Sequence, residues 1–184
     1  MKKRLLVTAI TILGFAHVNA QNVDFGIKGG LNFANITGDN TSKDNTVTAF
    51  NFGAMTEIKI SEKFSLQPEL LYSGQGYDSG IKSEGTIALN YLNIPVIAKY
   101  YVTKKLSLEG GPQIGFLLST KGGTQDYKNL FKTTDFGVNM GIGYKLDSGL
   151  NFGARYVLGL SNINDVGSAT NKNGVFQLSV GYFF

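Results

Sequence analysis

From Val23 to the last residue the chain alternates large apolar side chains with small or polar ones, and it does so in eight separate stretches. Val23, Phe25, Ile27, Leu31 and Phe33 stand against Asp24, Gly26, Lys28, Gly30 and Asn32. Phe50, Phe52, Ala54, Ile58 and Ile60 stand against Asn51, Gly53, Glu57 and Lys59. Phe64, Leu66, Leu70 and Tyr72 oppose Ser65, Gln67, Glu69 and Ser73, and Leu92 to Tyr100 oppose Asn93 and Lys99. The second half repeats the pattern. Files headed by Leu106, Phe136 and Leu150 run against rows containing Glu109, Lys145 and Arg155, and Phe176, Leu178, Val180, Tyr182 and Phe184 form the last. Side chains of a strand point to opposite faces with a period of two, so this pattern predicts eight strands with one greasy and one polar face each.

The connections alternate in length. Three are tight and polar: Ser61-Glu62-Lys63, Thr103-Lys104-Lys105 and Asp147-Ser148-Gly149. Four are longer loops, at 35–46, 78–85, 119–134 and 161–173. Short turns at one end and long loops at the other describe an up-and-down meander with both termini at the short-turn end. Closing such a sheet removes two long unpaired edges. Each stretch also offers the roughly 9–11 residues a tilted strand needs to cross a bilayer. The expected fold is all-β: an eight-stranded antiparallel up-and-down transmembrane barrel.

Parity alone does not say which face is inside. A lipocalin-like soluble barrel would line its interior with the apolar files and carry the charges outside. Three features favour lipid outside. Glycines crowd the polar faces (Gly26, Gly53, Gly111, Gly137, Gly141, Gly143, Gly153), as a narrow packed interior requires. Aromatics such as Phe25, Phe50, Tyr100, Tyr144 and Tyr182 sit near the ends of the apolar files, as in interface girdles. The chain ends inside its last strand, on Phe184.

The first twenty residues narrow the setting. Lys2-Lys3-Arg4, a short apolar run and small residues at Val18 and Ala20 describe a secretory signal peptide over 1–20, followed by a single barrel domain over 21–184. The signal takes three of the 17 basic residues, leaving 14 against 13 acidic ones. The net charge of the remainder is about +1, which removes the electrostatic case for nucleic-acid binding. The one histidine, His17, leaves with the signal, and the chain has no cysteine. Disulfides, Cys/His zinc sites and histidine-dependent acid–base or triad chemistry are thereby excluded. No enzyme and no cofactor are expected, and a lipid-modifying barrel enzyme is disfavoured for want of the histidine.

Several segments together resemble the outer-membrane β-barrel family of Bacteroidetes that includes PorT-like proteins. They are Lys59–Tyr72 (KISEKFSLQPELLY), Tyr91-Leu92-Asn93-Ile94-Pro95, Gly110-Gly111-Pro112, and Arg155-Tyr156 with Gly159-Leu160. The resemblance spans about residues 22–184. It implies an outer-membrane location with periplasmic termini, contact with outer-membrane lipid and lipopolysaccharide, and recognition of the strand ending in Phe184 by the barrel assembly machinery. It implies no particular activity. The PorT-like branch is associated with type IX secretion.

The polar faces carry the candidate chemistry. Arg155 with Glu69 or Glu109, supported by Lys28, Glu57 or Lys99, is expected to form an internal ion-pair cluster, because unpaired charges in a dry lumen are very costly. An eight-stranded barrel is just wide enough to be filled by side chains, so structural filling is preferred to a proton or ion path. The loop Gly38–Asn45 is oxygen-rich but lacks the calcium-loop spacing and closing Glu, and it places Lys43 among the would-be ligands. The loop 119–134 carries Lys121, Lys128 and Lys132 with Tyr127 and Phe131, a composition able to meet lipopolysaccharide phosphates but by default a solvated surface. The expected role is a non-enzymatic structural or surface-interaction barrel, the alternative a narrow transport or type IX secretion-associated component.

Overall fold

A computed structural model describes residues 23–39, 41, 45–78, 85–122, 128–166 and 168–184. The expected signal peptide at 1–20, Lys43, Tyr127 and most of the loop 78–85 lie outside the described residues. Eight strands follow one another: β1 (Val23–Gly38), β2 (Val47–Lys59), β3 (Phe64–Asp78), β4 (Thr86–Tyr101), β5 (Leu106–Gly122), β6 (Thr134–Lys145), β7 (Leu150–Gly159) and β8 (Asn171–Phe183). Each pairs antiparallel with its neighbour in sequence, and β8 closes on β1 from Gly26 opposite Phe183 to Gly38 opposite Asn171. Among the described residues the sheet closes with each strand paired on both sides, which is the condition for a sheet to sit in hydrocarbon.

The tight turns are built from their own residues. Ile60 N–H bonds the Phe64 carbonyl (2.9 Å) and the Ser61 hydroxyl accepts from Phe64 N–H (3.1 Å). Thr103 Oγ1 does the same for Leu106 N–H (3.0 Å). Gly149 takes φ +90° in the third turn, a conformation that side chains with a Cβ rarely adopt. Just outside the strands, the hydrogen bond and charge of Asp147 hold the Lys105 ammonium above its ordinary pKa.

The apolar files face outward. Phe25, Ile27, Phe50, Phe52, Leu108, Phe136, Met140, Ile142, Leu178 and Val180 are exposed, while Lys28, Glu57, Glu69, Lys99, Glu109 and Arg155 of the opposite face are buried. The lipocalin-like arrangement would have the reverse. Monomeric soluble proteins rarely expose contiguous apolar patches beyond a few hundred Å², whereas this belt contains residues of all eight strands.

The strands run further than the apolar files. Residues 35–38 belong to β1, Asp78 to β3, 119–122 to β5 and 171–173 to β8, so the long loops are shorter than 35–46, 78–85, 119–134 and 161–173. Backbone pairing continues past the apolar belt because the barrel wall closes over a second core. That core fills the interior at the long-loop end with Ile36, Ile87, Leu89, Tyr91, Leu117, Phe131 and Ile163. A bulge makes room for it. Asn90 pairs with Ser119 but Tyr91 with Leu117, so Leu118 is the extra residue, facing out while Leu117 faces in. Phe131, which follows a short 3-10 helix at Lys128–Leu130, and Ile163 come from two different loops. These loops are joined by a bridge between Phe131 and Asn164 and by Lys132 N–H to the Ile163 carbonyl (2.7 Å).

Candidate functional site: the barrel lumen

Lys28, Glu57, Glu69, Lys99, Glu109 and Arg155 all point into the short-turn half of the lumen, from six different strands, and meet in one network. Arg155 is its centre. Its Nη2 contacts Glu69 Oε1 at 2.7 Å and its Nε donates to Glu109 Oε2 at 2.7 Å. Lys28 Nζ lies 3.3 Å from the second oxygen of Glu69. Lys99 Nζ stands between Glu109 (3.6 Å) and Glu57 (3.8 Å) and donates to Gln67 Oε1 at 3.0 Å, while Gln67 Nε2 donates to Glu69 at 2.6 Å. Three carboxylates thus face three cations, so this six-residue cluster carries no excess charge.

Two members were not singled out by sequence. Lys145 bridges Glu57 (2.8 Å) and Asp24 (2.7 Å), and Asp24 also holds Lys59 at 2.9 Å. Both lie at strand ends facing the short-turn mouth, where parity alone cannot distinguish a lumen charge from a solvated one. Ser65 Oγ donates to Glu57 at 2.7 Å, and the Tyr101 hydroxyl donates to the same carboxylate. The Lys145 ammonium also lies 4.1 Å from the Phe183 ring centroid, a cation–π contact.

Glycine makes the space for these long side chains. A Cβ on Gly141 would come within 2.7 Å of Arg155 Cγ, and one on Gly143 would meet the Glu109 carboxylate and Ser107 Oγ. β6 is therefore bare on the face against which the cluster packs.

Above the charges lies a layer of amides. Asn32 Oδ1 accepts from Asn51 Nδ2 (2.8 Å) and Gln177 Nε2 (3.0 Å), and Asn32 Nδ2 donates to the Gly74 carbonyl (2.7 Å). Higher still is the apolar core of Leu89, Tyr91 and Leu117. At its edge Asp135 accepts hydrogen bonds from Ser161 Oγ (2.7 Å) and Asn173 Nδ2 (2.8 Å). A recess of about 620 Å³ opens at the short-turn mouth between Asp24, Lys59, Tyr101, Lys145 and Phe183. Deeper in, the void among Lys28, Gln67, Lys99, Glu109 and Arg155 shrinks to about 10 Å³, room for a single water at most. Charges, amides and apolar side chains in turn occupy the lumen.

These features define a class: a closed eight-stranded transmembrane β-barrel with a packed interior. A family model described as "Outer membrane protein beta-barrel domain" matches residues 19–165. The chain belongs to that family. No curated protein matches it. Among solved structures it is similar to the attachment invasion locus protein Ail of Yersinia pestis, with 16% identity, a TM-score of 0.59, and coverage of 89% of this chain and 99% of that one. It is also similar to Neisserial surface protein A, with 14% identity, a TM-score of 0.61, and coverage of 87% and 97%. At these identities the likeness is one of fold.

Proposed function

We propose that the protein is a non-enzymatic outer-membrane barrel whose filled lumen is structural and whose loops form its working surface. The observation that carries this reading is the interior. Among the described residues a charge-neutral ion-pair cluster, an amide layer and an apolar core follow one another along the axis, and the void at the cluster is only about 10 Å³. A conduit would need mobile or hydrated groups, and here Arg155 and Glu69 are held by several partners each. At the far end Phe131 and Asn164 tie two loops together and Asn45 ties the first loop to Asp78 at the end of β3, which suits a presented surface.

In this reading residues 1–20 direct secretion, the short turns and both termini face the periplasm, and the long loops face outward. The strand ending in Phe184 is the element the assembly machinery engages. The resemblance to the Bacteroidetes barrel family that includes PorT-like proteins rests on the segments around Lys59–Tyr72 and Tyr91–Pro95 and does not single out the PorT-like branch. A secretion-machine partner recovered reproducibly from native membranes would favour the transport-associated alternative.

Planar-bilayer recording tests the reading. The purified barrel is expected to insert without producing stable open levels. Reproducible long-lived conductance steps would contradict a structural lumen.

A further inference from the structure

Two buried donors in the short-turn half of the lumen have no partner among the described residues, Arg155 Nη1 and Asn151 Nδ2. Arg155 is 3% exposed and spends Nε on Glu109 and Nη2 on Glu69, which leaves Nη1 over. A buried polar group without a partner costs free energy, so each one in a folded protein calls for a physical reason. Both donors line the same void, the one of about 10 Å³ beside Lys28 and Glu109. It is the space that Gly153 leaves bare. Gly153 faces inward on β7 between Asn151 and Arg155, and its register partners are Gly143 on β6 and Ser179 on β8. These three strands are described along their whole length.

The charge around the void is one-sided. Lys28, Lys99, Lys145 and Arg155 line it against a single carboxylate, Glu109. Both oxygens of Glu109 are engaged, Oε2 by Arg155 Nε and Oε1 by Lys99 and Ser107. Beyond the neutral six-residue cluster, Lys145 and Lys59 add two cations and Asp24 one carboxylate, so the linked network carries one excess positive charge. From this geometry we infer that the void is a binding site for one small monovalent anion, for which chloride is the probe. The anion accepts from Arg155 Nη1 and Asn151 Nδ2 and balances the excess charge. A water accepts from the same donors but leaves that charge in place. Chloride is bulkier than water, and the Lys28 and Lys145 side chains and the Ser179 hydroxyl that line the void are the groups that yield to it. The inference rests on the reading of the lumen as packed and adds a ligand to that packing.

The test is urea unfolding of the full-length barrel refolded in lipid vesicles, in sodium chloride against sodium gluconate. Gluconate is too large for the void, and equal ionic strength holds screening constant. A ligand that binds only the folded state stabilises it by mass action. Above the dissociation constant, tenfold more chloride is expected to raise the wild-type folding constant about tenfold. Gly153→Ala puts a methyl group in the void, where its Cβ meets the Ser179 hydroxyl at 2.9 Å, and should abolish the response. Asn151→Asp supplies the negative charge from the chain itself and should abolish it too. Met140→Leu, on the lipid face, should keep it. Heat-shifted gel mobility reports that each variant is folded. Equal wild-type stability in both salts, the result that water alone in the void predicts, overturns the site. So does a chloride response that survives in folded Asn151→Asp. Conductance steps carried by chloride through the wild type would instead overturn the packed-lumen reading itself.

Discussion

Arg155→Ala is expected to destabilise the folded barrel by about 3–5 kcal/mol, the cost of leaving buried charge without its partner. The reason lies in what remains. Glu69 and Glu109 each lose a 2.7 Å contact to the guanidinium, and each keeps a single longer ammonium contact, Lys28 at 3.3 Å and Lys99 at 3.6 Å. Arg155→Lys keeps the charge but not the fork that reaches two carboxylates at once, so its loss should be smaller. Adding Glu69→Gln to Arg155→Ala removes one uncompensated carboxylate and should recover part of the loss, a coupling that a double-mutant cycle reads directly. Urea unfolding of the refolded protein in lipid vesicles gives the numbers. A loss below about 1 kcal/mol for Arg155→Ala would mean the cluster does not depend on its central cation.

The second large effect is on the opposite face. Met140 lies midway along β6, exposed and outward. Met140→Arg is expected to cost about 2–4 kcal/mol in a bilayer, the range for a cation on the lipid face near the midplane. Tyr182→Arg, near the short-turn interface, should cost about 0–1 kcal/mol from the charge itself. Were the outer face solvated, both would fall within the roughly ±0.5 kcal/mol typical of surface substitutions. The same unfolding assay separates these outcomes, and Met140→Leu controls for packing.

The sequence makes the strands legible because alternation is a strong signal where every second residue is Phe, Leu, Ile or Val. It also places Lys28, Glu57, Glu69, Lys99, Glu109 and Arg155 on one face, and their positions relative to the tight turns suggest a shared level. What it does not reveal is that Arg155 reaches Glu69 and Glu109 together, because that depends on strand tilt and on bare glycines across the lumen at Gly141 and Gly143. The upper core escaped for a different reason. Ile87, Leu89 and Tyr91 alternate, but with parity opposite to Leu92, Ile94 and Val96 in the same strand. That switch was the available signal for an apolar filling of the lumen. The bulge at Leu118 hides the matching switch in β5, and Phe131 and Ile163 enter from loops, where no periodicity announces them. The strand ends at 35–38 and 119–122 carry the composition of a loop because their residues are mostly polar, although their backbones still pair.

The central claim is that the apolar files meet lipid and the charged files fill the lumen. The chain contains no cysteine, so single cysteines can be placed along β8 without removing any. Cysteines at Phe176, Leu178 and Val180, labelled with a small fluorophore and reconstituted in vesicles, should be quenched by lipids carrying a quencher in their acyl chains. Cysteines at Gln177 and Ser179 should resist labelling in the folded barrel and react only after unfolding. That period-two alternation is the predicted result. Outward positions that react freely with a water-soluble reagent in the folded, reconstituted protein, with no quenching by lipid, would contradict it.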